Sequence, residues 1–173
     1  MHKEKISRYP IGKIISGGQT GADRAALDFA IARNIPYGGW LPRGRRTEDG
    51  ALDSKYRLRE MPTTDYAKRT EQNVLEADGT VIISHGFPVA GSALTLEFAR
   101  RHERPCLHLD LKVLSPKQAA ETLVSWLGEN RIRVLNVAGP RAGRDPAIYP
   151  AVMDLLERSM ETGRPVDVVL SDG

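Results

Sequence analysis

The chain has 173 residues, 40% of them hydrophobic and 27% charged, with a formal net charge of +3, which suits one globular domain with a sizeable core. The small basic excess neither identifies a nucleic-acid partner nor excludes anionic ligands, and the single cysteine excludes an intrachain disulfide. No apolar run approaches the roughly 18 residues of a membrane span and the N-terminus lacks the apolar centre of a signal peptide, so we expect a cytoplasmic protein without membrane contact.

Short apolar runs alternate along the chain with longer segments of helical periodicity. In chain order they predict a strand at 13–16, a helix at 22–34, a strand at 35–40, a helix from Thr64 or Asp65 to about 77, a strand at 79–84, a helix at about 92–102, a strand at 105–111, a helix capped by Ser115 with Pro116 at its first position and ending near 130, a strand at 134–139, and a last helix ending near 163. The apolar run at 79–84 indicates a strand buried on both faces, as in a parallel sheet. The alternation predicts a three-layer, Rossmann-like α/β fold, doubly wound, with a mostly parallel sheet and helices on both faces.

We expect a single domain over 1–173, with an N-terminal arm at 1–12. The tail at 166–173 is expected to be a sixth strand or an unpaired end. Cys106 lies in an apolar run and is interpreted as a thiol in the strand core.

Residues 41–64, which we call the flap, are rich in Pro, Gly and charge and show no periodicity. They predict a long basic loop, and loops of this length inside a compact domain are usually functional or disordered. The guanidinium groups of Arg43, Arg45 and Arg46 match the geometry of phosphate oxygens. The alternative is a solvated loop in which these arginines pair with the acidic residues that follow them.

Three of the predicted strands are followed by glycine-bearing loops, each of which leads into a helix. They are "GGQTGAD" at 17–23, "HGFPVAGS" at 85–92 and "AGPRAG" at 138–143, the first, second and third loops below. Loops after parallel strands share one edge of the sheet, where ligands of such folds bind. Glycine lets backbone N–H groups approach an anion, helix N-termini are partly positive, and Thr20 and Ser92 add hydroxyl groups. The pattern indicates a site for a phosphorylated small molecule; the alternative for each loop is a tight turn without a ligand.

The first loop matches neither of the two standard phosphate-loop patterns. Counting from Gly17, Asp23 stands where G-x-x-x-x-G-K-[ST] requires lysine, and Gln19 stands where G-x-G-x-x-G requires its second glycine. Neither an ATPase nor an ordinary NAD enzyme is therefore supported. Asp23 and Arg24 are interpreted as residues that cap and flank the helix.

Several side chains outside the loops are candidates for chemistry. Glu97 lies about a turn and a half into its helix and is the best-placed general acid or base, although a surface role is equally compatible with its position. His85 follows a strand and can hydrogen-bond a ligand. No metal-binding spacing and no Ser–His–Asp order is found. The helix after the flap has a polar face formed by Tyr66, Arg69, Thr70 and Asn73. This face is directed at the cleft, at a subunit partner or at solvent.

Six motifs occur in one order: "SGGQTGADRAALDFA", "GGWLPRGRRTEDG", "YAKRTEQNV", "DGTVIIS", "AGSALTLEFAR" and "RVLNVAGPR". In this combination, the chain closely resembles the bacterial family called putative molybdenum carrier proteins, also described as circularly permuted YpsA-like proteins of the SLOG superfamily. The resemblance covers about 13–156. It implies a Rossmann-like fold akin to lonely-guy and lysine-decarboxylase-like proteins and to the molybdenum cofactor carrier of algae.

The resemblance also implies a ligand site and an oligomer. The relatives bind nucleotide or pterin phosphates at glycine loops and form dimers or tetramers, so we expect a homodimer or homotetramer that binds a phosphorylated small molecule. The predicted ligand-binding set, from motif match and from the loop and flap arguments together, is Gly17, Gly18, Gln19, Thr20, Gly21, Gly91, Ser92, Thr95, Gly139, Arg141 and Arg45.

Two functions are compatible with these observations. The first is a binding protein for a phosphorylated pterin or nucleotide, such as the molybdenum cofactor (molybdopterin), without a metal ligated by the protein. The second is a nucleotide N-glycosidase of the lonely-guy type, a phosphoribohydrolase, in which Glu97 and an arginine act on the ribosyl bond. Nucleotide-cleaving relatives carry P-G-G-x-G-T-x-x-E, whereas "FPVAGSALTLE" here has one glycine before Ser92 and its glutamate at another offset. A single-strand nucleic-acid module is the weakest hypothesis, because 6% aromatic residues offer few stacking surfaces.

Overall fold

The computed structural model describes residues 11–162. Most of the predicted N-terminal arm lies outside the described residues. The whole tail, predicted as a sixth strand or an unpaired end, also lies outside them. Within them, the elements in chain order are β1 (Lys13–Ile15), α1 (Ala22–Ala32), β2 (Tyr37–Gly38), β3 (Trp40–Leu41), β4 (Arg46–Thr47), β5 (Gly50–Ala51), β6 (Arg59–Glu60), α2 (Tyr66–Glu76), β7 (Gly79–Ser84), α3 (Gly91–Arg101), β8 (Cys106–Asp110), α4 (Pro116–Glu129), β9 (Val134–Ala138) and α5 (Ile148–Thr162).

Five strands form a central sheet in the order β2-β1-β9-β7-β8, and every neighbouring pair is parallel. All six residues of β7 are buried, as the apolar run had predicted. Helices α1, α4 and α5 pack together over one face, and α2 and α3 pack together over the other. This confirms the predicted three-layer Rossmann-like fold with a mostly parallel sheet.

The last strand of the sheet lies between two earlier ones. The chain forms β1 and β2 at one side and β7 and β8 at the other, and β9 then pairs with both β1 and β7. The carboxyl ends of β1, β9 and β7 are therefore adjacent. As a result, the three glycine-bearing loops leave the sheet side by side at the predicted edge.

The main hydrophobic core lies between the sheet and the layer of α1, α4 and α5. It contains the apolar faces of these helices and the inward side chains of the strands, among them Phe29, Leu123 and Leu135. A smaller cluster around Val74 and Phe98 packs α2 and α3 on the opposite face. Cys106 packs against this smaller cluster, and burial raises the pKa of its thiol to about 11, which fits the predicted core role rather than a reactive one.

The predicted helix starts at 64–66 and 115–116 are confirmed with their caps. The Asp65 side chain accepts a hydrogen bond from the Ala67 backbone N–H at the start of α2. Ser115 caps α4 in a reciprocal pair with Gln118, and Pro116 occupies the first helical position. No helix among residues 11–162 is long and apolar enough to cross a membrane.

The strand predicted at 35–40 is divided into β2 and β3 at Gly39. Gly39 has φ +135°, and a side chain there would place its Cβ 2.0 Å from the Ser16 carbonyl oxygen. Only glycine allows the chain to bend this closely past β1. At this bend the chain leaves the central sheet and enters the flap.

The flap contains regular structure that its composition did not predict. Strand β3 pairs in parallel with β6, and β4 and β5 form an antiparallel hairpin whose tip is Glu48 and Asp49. The apolar residues of the flap form their own cluster with a residue of α1; its members are Leu27, Leu41, Leu52, Tyr56 and Leu58. The flap is therefore an ordered segment that packs onto the domain.

Candidate functional site

A cleft of about 340 Å³ lies at the carboxyl edge of the sheet, where the three loops meet α2. This volume is in the range of small-molecule sites. Its walls are formed by α2, the start of α3 and the first and third loops, with the end of β9 at its floor. The lining residues are Gly17, Gln19, Asp23, Glu48, Tyr66, Arg69, Thr70, Asn73, Val89, Ala90, Gly91, Ser92, Leu94, Thr95, Asn136, Val137, Ala138, Gly139, Pro140, Arg141 and Arg144.

The second loop presents donors that have no partner within the described chain. Helix α3 begins after Ala90, which has φ +49° and makes no side-chain cap. The Gly91 N–H and the Ser92 hydroxyl have no hydrogen bond to residues 11–162. The Ser92 residue is only 5% exposed, and it faces the cleft. An unpaired hydroxyl that opens onto the cleft, beside a helix N-terminus without a side-chain cap, favours an anionic ligand at this point.

The first loop is held mainly by bonds within the protein. The Gly18 N–H donates to the Ser16 hydroxyl, the Gln19 N–H to the Asp23 carboxylate and the Thr20 N–H to the Gln19 side-chain oxygen. These backbone donors are therefore occupied, and the expected cradle of free N–H groups is not formed here. The residues of this loop that line the cleft are Gly17, Gln19 and Asp23.

The tip of the flap hairpin joins the first and third loops. The Glu48 carboxylate accepts a hydrogen bond from the Thr20 hydroxyl at 2.5 Å and from the Gly143 N–H at 3.1 Å. Arg141 Nε lies 3.5 Å from the same carboxylate. These partners lower the pKa of Glu48, with the Thr20 hydroxyl as the largest cause. The ionised Glu48 carboxylate therefore connects the first and third loops through hydrogen bonds.

Helix α2 contributes a buried cation to the cleft. Arg69 is 8% exposed, donates from Nη1 to the Gly17 carbonyl at 2.5 Å, and stacks over the Tyr66 ring with Cζ 5.5 Å from its centroid. Burial lowers the pKa of Arg69, and the charge of Asp23 opposes this effect. The amide of Asn73 is used for structure, since it bonds both backbone groups of Trp40.

Asp23 places a carboxyl group opposite Arg69 across Gly17. A Cβ added to Gly17 would lie 3.0 Å from both the Asp23 Oδ2 atom and the Arg69 Cζ atom, so the two side chains converge on this glycine. Burial raises the pKa of Asp23 to about 6, although Arg69, the Gln19 N–H and Arg24 each lower it. A carboxyl group with a pKa raised in this way is more readily protonated than an ordinary aspartate.

Comparison with known proteins assigns the chain to a family. A model of the circularly permutated YpsA SLOG family matches residues 14–160. The chain belongs to the circularly permutated YpsA SLOG family. Its fold is also similar to the crystal structure of a protein named "Putative molybdenum carrier protein" from Syntrophus aciditrophicus SB, with a TM-score of 0.87 and 61% sequence identity over 87% of this chain and 96% of that one. No match was found among curated proteins. The family predicted from the six motifs is confirmed.

In this member of the circularly permutated YpsA SLOG family, most of the predicted site residues lie together. The cleft is lined by Gly17, Gln19, Gly91, Ser92, Thr95, Gly139 and Arg141, and by all four residues of the polar face of α2. The sequence left three directions open for that face: the cleft, a subunit partner or solvent. In the structure, the face lines the cleft. His85 lies beside the cleft, and its Nδ1 is 2.6 Å from the Asp145 carboxylate.

Other predicted residues shape the loops instead of lining the cleft. Gly18 has φ +74° and packs against leucines of the flap, and Gly21 has φ +78° and abuts the third loop. The Thr20 hydroxyl bonds Glu48 and accepts from the Ala142 N–H. Arg45 donates its guanidinium hydrogens to the carbonyls of Leu52, Asp53 and Tyr56, so its charge holds the flap rather than the cleft.

Glu97 faces solvent, which removes it from the predicted role of general acid or base. Its carboxylate pairs with Arg101 one turn later, and its side chain is 60% exposed. Ser92 and Thr95 are three residues apart and share the cleft face of α3, whereas Glu97, two residues past Thr95, lies on the opposite side of the helix.

Sequence reasoning missed four polar residues of the cleft, and it treated one of them, Glu48, only as an acidic partner for the flap arginines. Asp23 was interpreted only as a favourable charge at a helix start, although its place inside a glycine-bearing loop could have suggested a ligand contact. Asn136 is a polar residue inside an apolar strand, a pattern that often marks a site, and it lies at the cleft floor. Arg144 had no sequence signal, because its position depends on how the third loop folds.

No group of three or more His, Cys, Asp or Glu side chains within residues 11–162 is arranged to hold a metal ion. The cleft instead offers three guanidinium groups, from Arg69, Arg141 and Arg144, together with the Ser92 hydroxyl. The carboxyl groups of Asp23 and Glu48 lie in the same cleft, Asp23 near Arg69 and Glu48 near Arg141. The guanidinium and hydroxyl groups can bind an anion, and the carboxyl groups can accept hydrogen bonds from N–H donors of a ligand.

Proposed function

We propose that this protein binds a phosphorylated small molecule in the cleft, either a nucleotide or the pterin phosphate of the molybdenum cofactor. The observation that carries the proposal is the Ser92 hydroxyl, which belongs to a residue only 5% exposed, opens onto the cleft at a start of α3 without a side-chain cap, and has no hydrogen bond within the described chain. The name of the similar protein from Syntrophus aciditrophicus, a molybdenum carrier, supports the pterin form of the ligand.

The phosphate is proposed to lie against the start of α3. The Gly91 N–H, the Ser92 hydroxyl and the partial positive charge of the helix favour an anion there. Arg144 is exposed at the mouth of the cleft and has no ion pair or side-chain hydrogen bond to residues 11–162. A guanidinium without such partners is available to bind phosphate oxygens with two parallel hydrogen bonds.

The ring of the ligand is proposed to lie towards α2 and Asp23. A carboxylate accepts hydrogen bonds from adjacent N–H and NH₂ groups, which pterin and guanine both present on one edge. Adenine presents no such pair of donors. This end of the cleft therefore favours pterin or guanine over adenine.

The test is binding of GMP, AMP and inorganic phosphate by isothermal titration calorimetry, comparing wild type with Ser92→Ala. The loss of one hydrogen bond to a charged group is worth about 1.5–3 kcal/mol, so GMP should bind about tenfold or more weakly to the variant. Ser125→Ala on the exposed side of α4 is the matched control and should bind as wild type does. Equal GMP affinity in wild type and Ser92→Ala contradicts the proposal.

A second function, nucleotide N-glycosidase, is favoured by the raised pKa of Asp23. In this reaction, water adds to C1′ of the ribose, the bond from C1′ to the base nitrogen breaks, and the departing base takes a proton. Asp23 replaces Glu97 as the group that would move that proton. Free guanine released from GMP by wild type and by Glu97→Gln, but not by Asp23→Asn, would support turnover; no release would leave the binding function alone.

We further propose a homodimer or homotetramer in the cytoplasm. The oligomer rests on the behaviour of related Rossmann-like families. Its test is given with the whole molecule below.

A further inference from the structure

A second cavity of about 430 Å³ adjoins the cleft on the far side of the α3 N-terminus. We call it the outer compartment. It shares four lining residues with the cleft: Val89, Ser92, Pro140 and Arg144. The two spaces are therefore neighbours with a common wall, rather than separate sites on the protein.

The common wall contains the groups proposed to bind phosphate. Ser92 and Arg144 line both spaces, so an anion held by them lies on the boundary and has open volume on either side. A mononucleotide or a pterin monophosphate would place its ring in the cleft and leave the outer compartment empty. A ligand that continues beyond its phosphate would use both spaces.

The outer compartment has the chemistry to bind a second ring and a second phosphate. Phe87 is 87% exposed and lies on its rim, where an aromatic face is available for stacking. Lys112 lies in its wall, and its ammonium group forms no ion pair with residues 11–162. His85 is held through Nδ1 by Asp145, which leaves Nε2 free to bond a ligand.

We propose that the protein accepts a dinucleotide-type ligand, two ring systems joined by a pyrophosphate, with one ring in the cleft and the other on Phe87 in the outer compartment. The pyrophosphate crosses the common wall between Ser92, Arg144 and Lys112. This inference rests on the proposed phosphate site. It adds a binding subsite and a ligand class to it.

The experiment compares three probes by calorimetry on the full chain: GMP, GDP and P1,P2-diguanosine diphosphate. GDP contains the pyrophosphate without the second nucleoside but with a more negative terminal phosphate, so the contribution of the second ring is assigned by the Phe87 variant below. Stacking of a base on an aromatic side chain strengthens binding by about tenfold or more. We therefore expect the diguanosine compound to bind about tenfold more tightly than GDP.

Variants of residues in the outer compartment identify the side chains that produce the expected increase in affinity. Phe87→Ala should reduce the affinity for the diguanosine compound to that for GDP, and Lys112→Ala should weaken GDP and the diguanosine compound but not GMP. Val113→Ala removes another exposed apolar side chain, and Lys117→Ala another exposed lysine; neither residue lines the cleft or the outer compartment, and both variants should behave as wild type.

The outcomes separate the two proposals. If GMP binds and depends on Ser92 but the diguanosine compound is no tighter than GDP, or if its advantage survives in Phe87→Ala, the outer subsite is refuted while the phosphate site stands. If none of the three probes binds, or if binding is indifferent to Ser92→Ala, the phosphate site itself is refuted, and the subsite with it.

Discussion

At the first turn of α1, the carboxyl group of Asp23 accepts a hydrogen bond from the first loop and lies near the buried guanidinium of Arg69. Burial outweighs both partners, so its pKa is about 6 instead of 3.8. Between these two values, the folded protein binds more protons at this site than the unfolded chain does. The contribution of Asp23 to stability is therefore greatest in acid and is lost as the pH rises from about 4 to 6.

Asp23→Asn should remove this loss, because asparagine can still accept from the Gln19 N–H but does not ionise. We expect the free energy of unfolding of the variant, relative to wild type, to rise by about 1–2 kcal/mol between pH 4 and pH 7, since water in the cleft screens part of the effect. Urea titrations at four pH values measure it. Asp154→Asn, at an exposed carboxylate of α5, is the control, and a pH-independent difference for Asp23→Asn would contradict the assignment.

Gly21 is required for packing between loops rather than for access of an anion. It has φ +78°, and a Cβ there would lie 2.4 Å from the Pro140 carbonyl oxygen and 2.8 Å from the Ala142 nitrogen. The motif match had assigned this glycine to the ligand. Its actual neighbours are backbone atoms of the third loop, which cannot move aside as a side chain can.

Gly21→Ala should lower the free energy of unfolding by about 2–4 kcal/mol, from the positive φ and the backbone clash together. Gly91→Ala is the matched comparison, because a Cβ at Gly91 meets no atom within 4 Å. Chemical denaturation of both variants checks the prediction. Similar stabilities for the two would show that the loops separate more easily than their packing implies.

At the scale of elements, helices were predicted more accurately than the flap. The helices α1, α2, α3 and α4 lie within one or two residues of their predicted bounds, because periodicity and caps are local properties of a sequence. The flap strands are two residues each and pair in arrangements that a window of sequence cannot reveal. The composition at 41–64 correctly indicated irregularity but not the buried leucines that attach this segment to α1.

The β4–β5 hairpin should detach from the first and third loops when the Glu48 carboxylate is removed. Glu48→Ala deletes the carboxylate that accepts from the Thr20 hydroxyl and the Gly143 N–H. We expect faster amide hydrogen exchange at 46–51 and at 142–144, with exchange in β7 and β9 unchanged. Glu60→Ala, an exposed glutamate of the same flap, is the control. Unaltered exchange at the hairpin would mean that Arg24 with Asp49 and the leucine cluster suffice to hold it.

At the scale of the whole molecule, the sheet order decides where the site is. Because β9 lies between β1 and β7, the first, third and second loops become neighbours although they are more than 40 residues apart in sequence. The number of glycine loops predicted a site at the carboxyl edge. The insertion of the last strand is what makes that site one cleft rather than three turns.

The assembled protein should have a mass near two or four times 19.1 kDa by light scattering coupled to size exclusion. The reason is the resemblance to Rossmann-like families that form dimers and tetramers. Measurement over a tenfold range of concentration separates a stable oligomer from weak association. A mass of 19.1 kDa at every concentration would contradict the prediction.

The sequence by itself determined the α/β class, the family, the helix caps and the loops at the carboxyl edge, and it named Ser92 and Thr95, which line the cleft. These follow from periodicity, cap residues and glycine motifs, which depend on neighbours along the chain. Only the tertiary structure decided that burial raises the pKa of Asp23, that Glu97 faces solvent, that Arg45 holds the flap and that a second cavity adjoins the cleft. Each of these depends on burial or on contacts between distant segments, and such contacts exist only after the sheet has assembled.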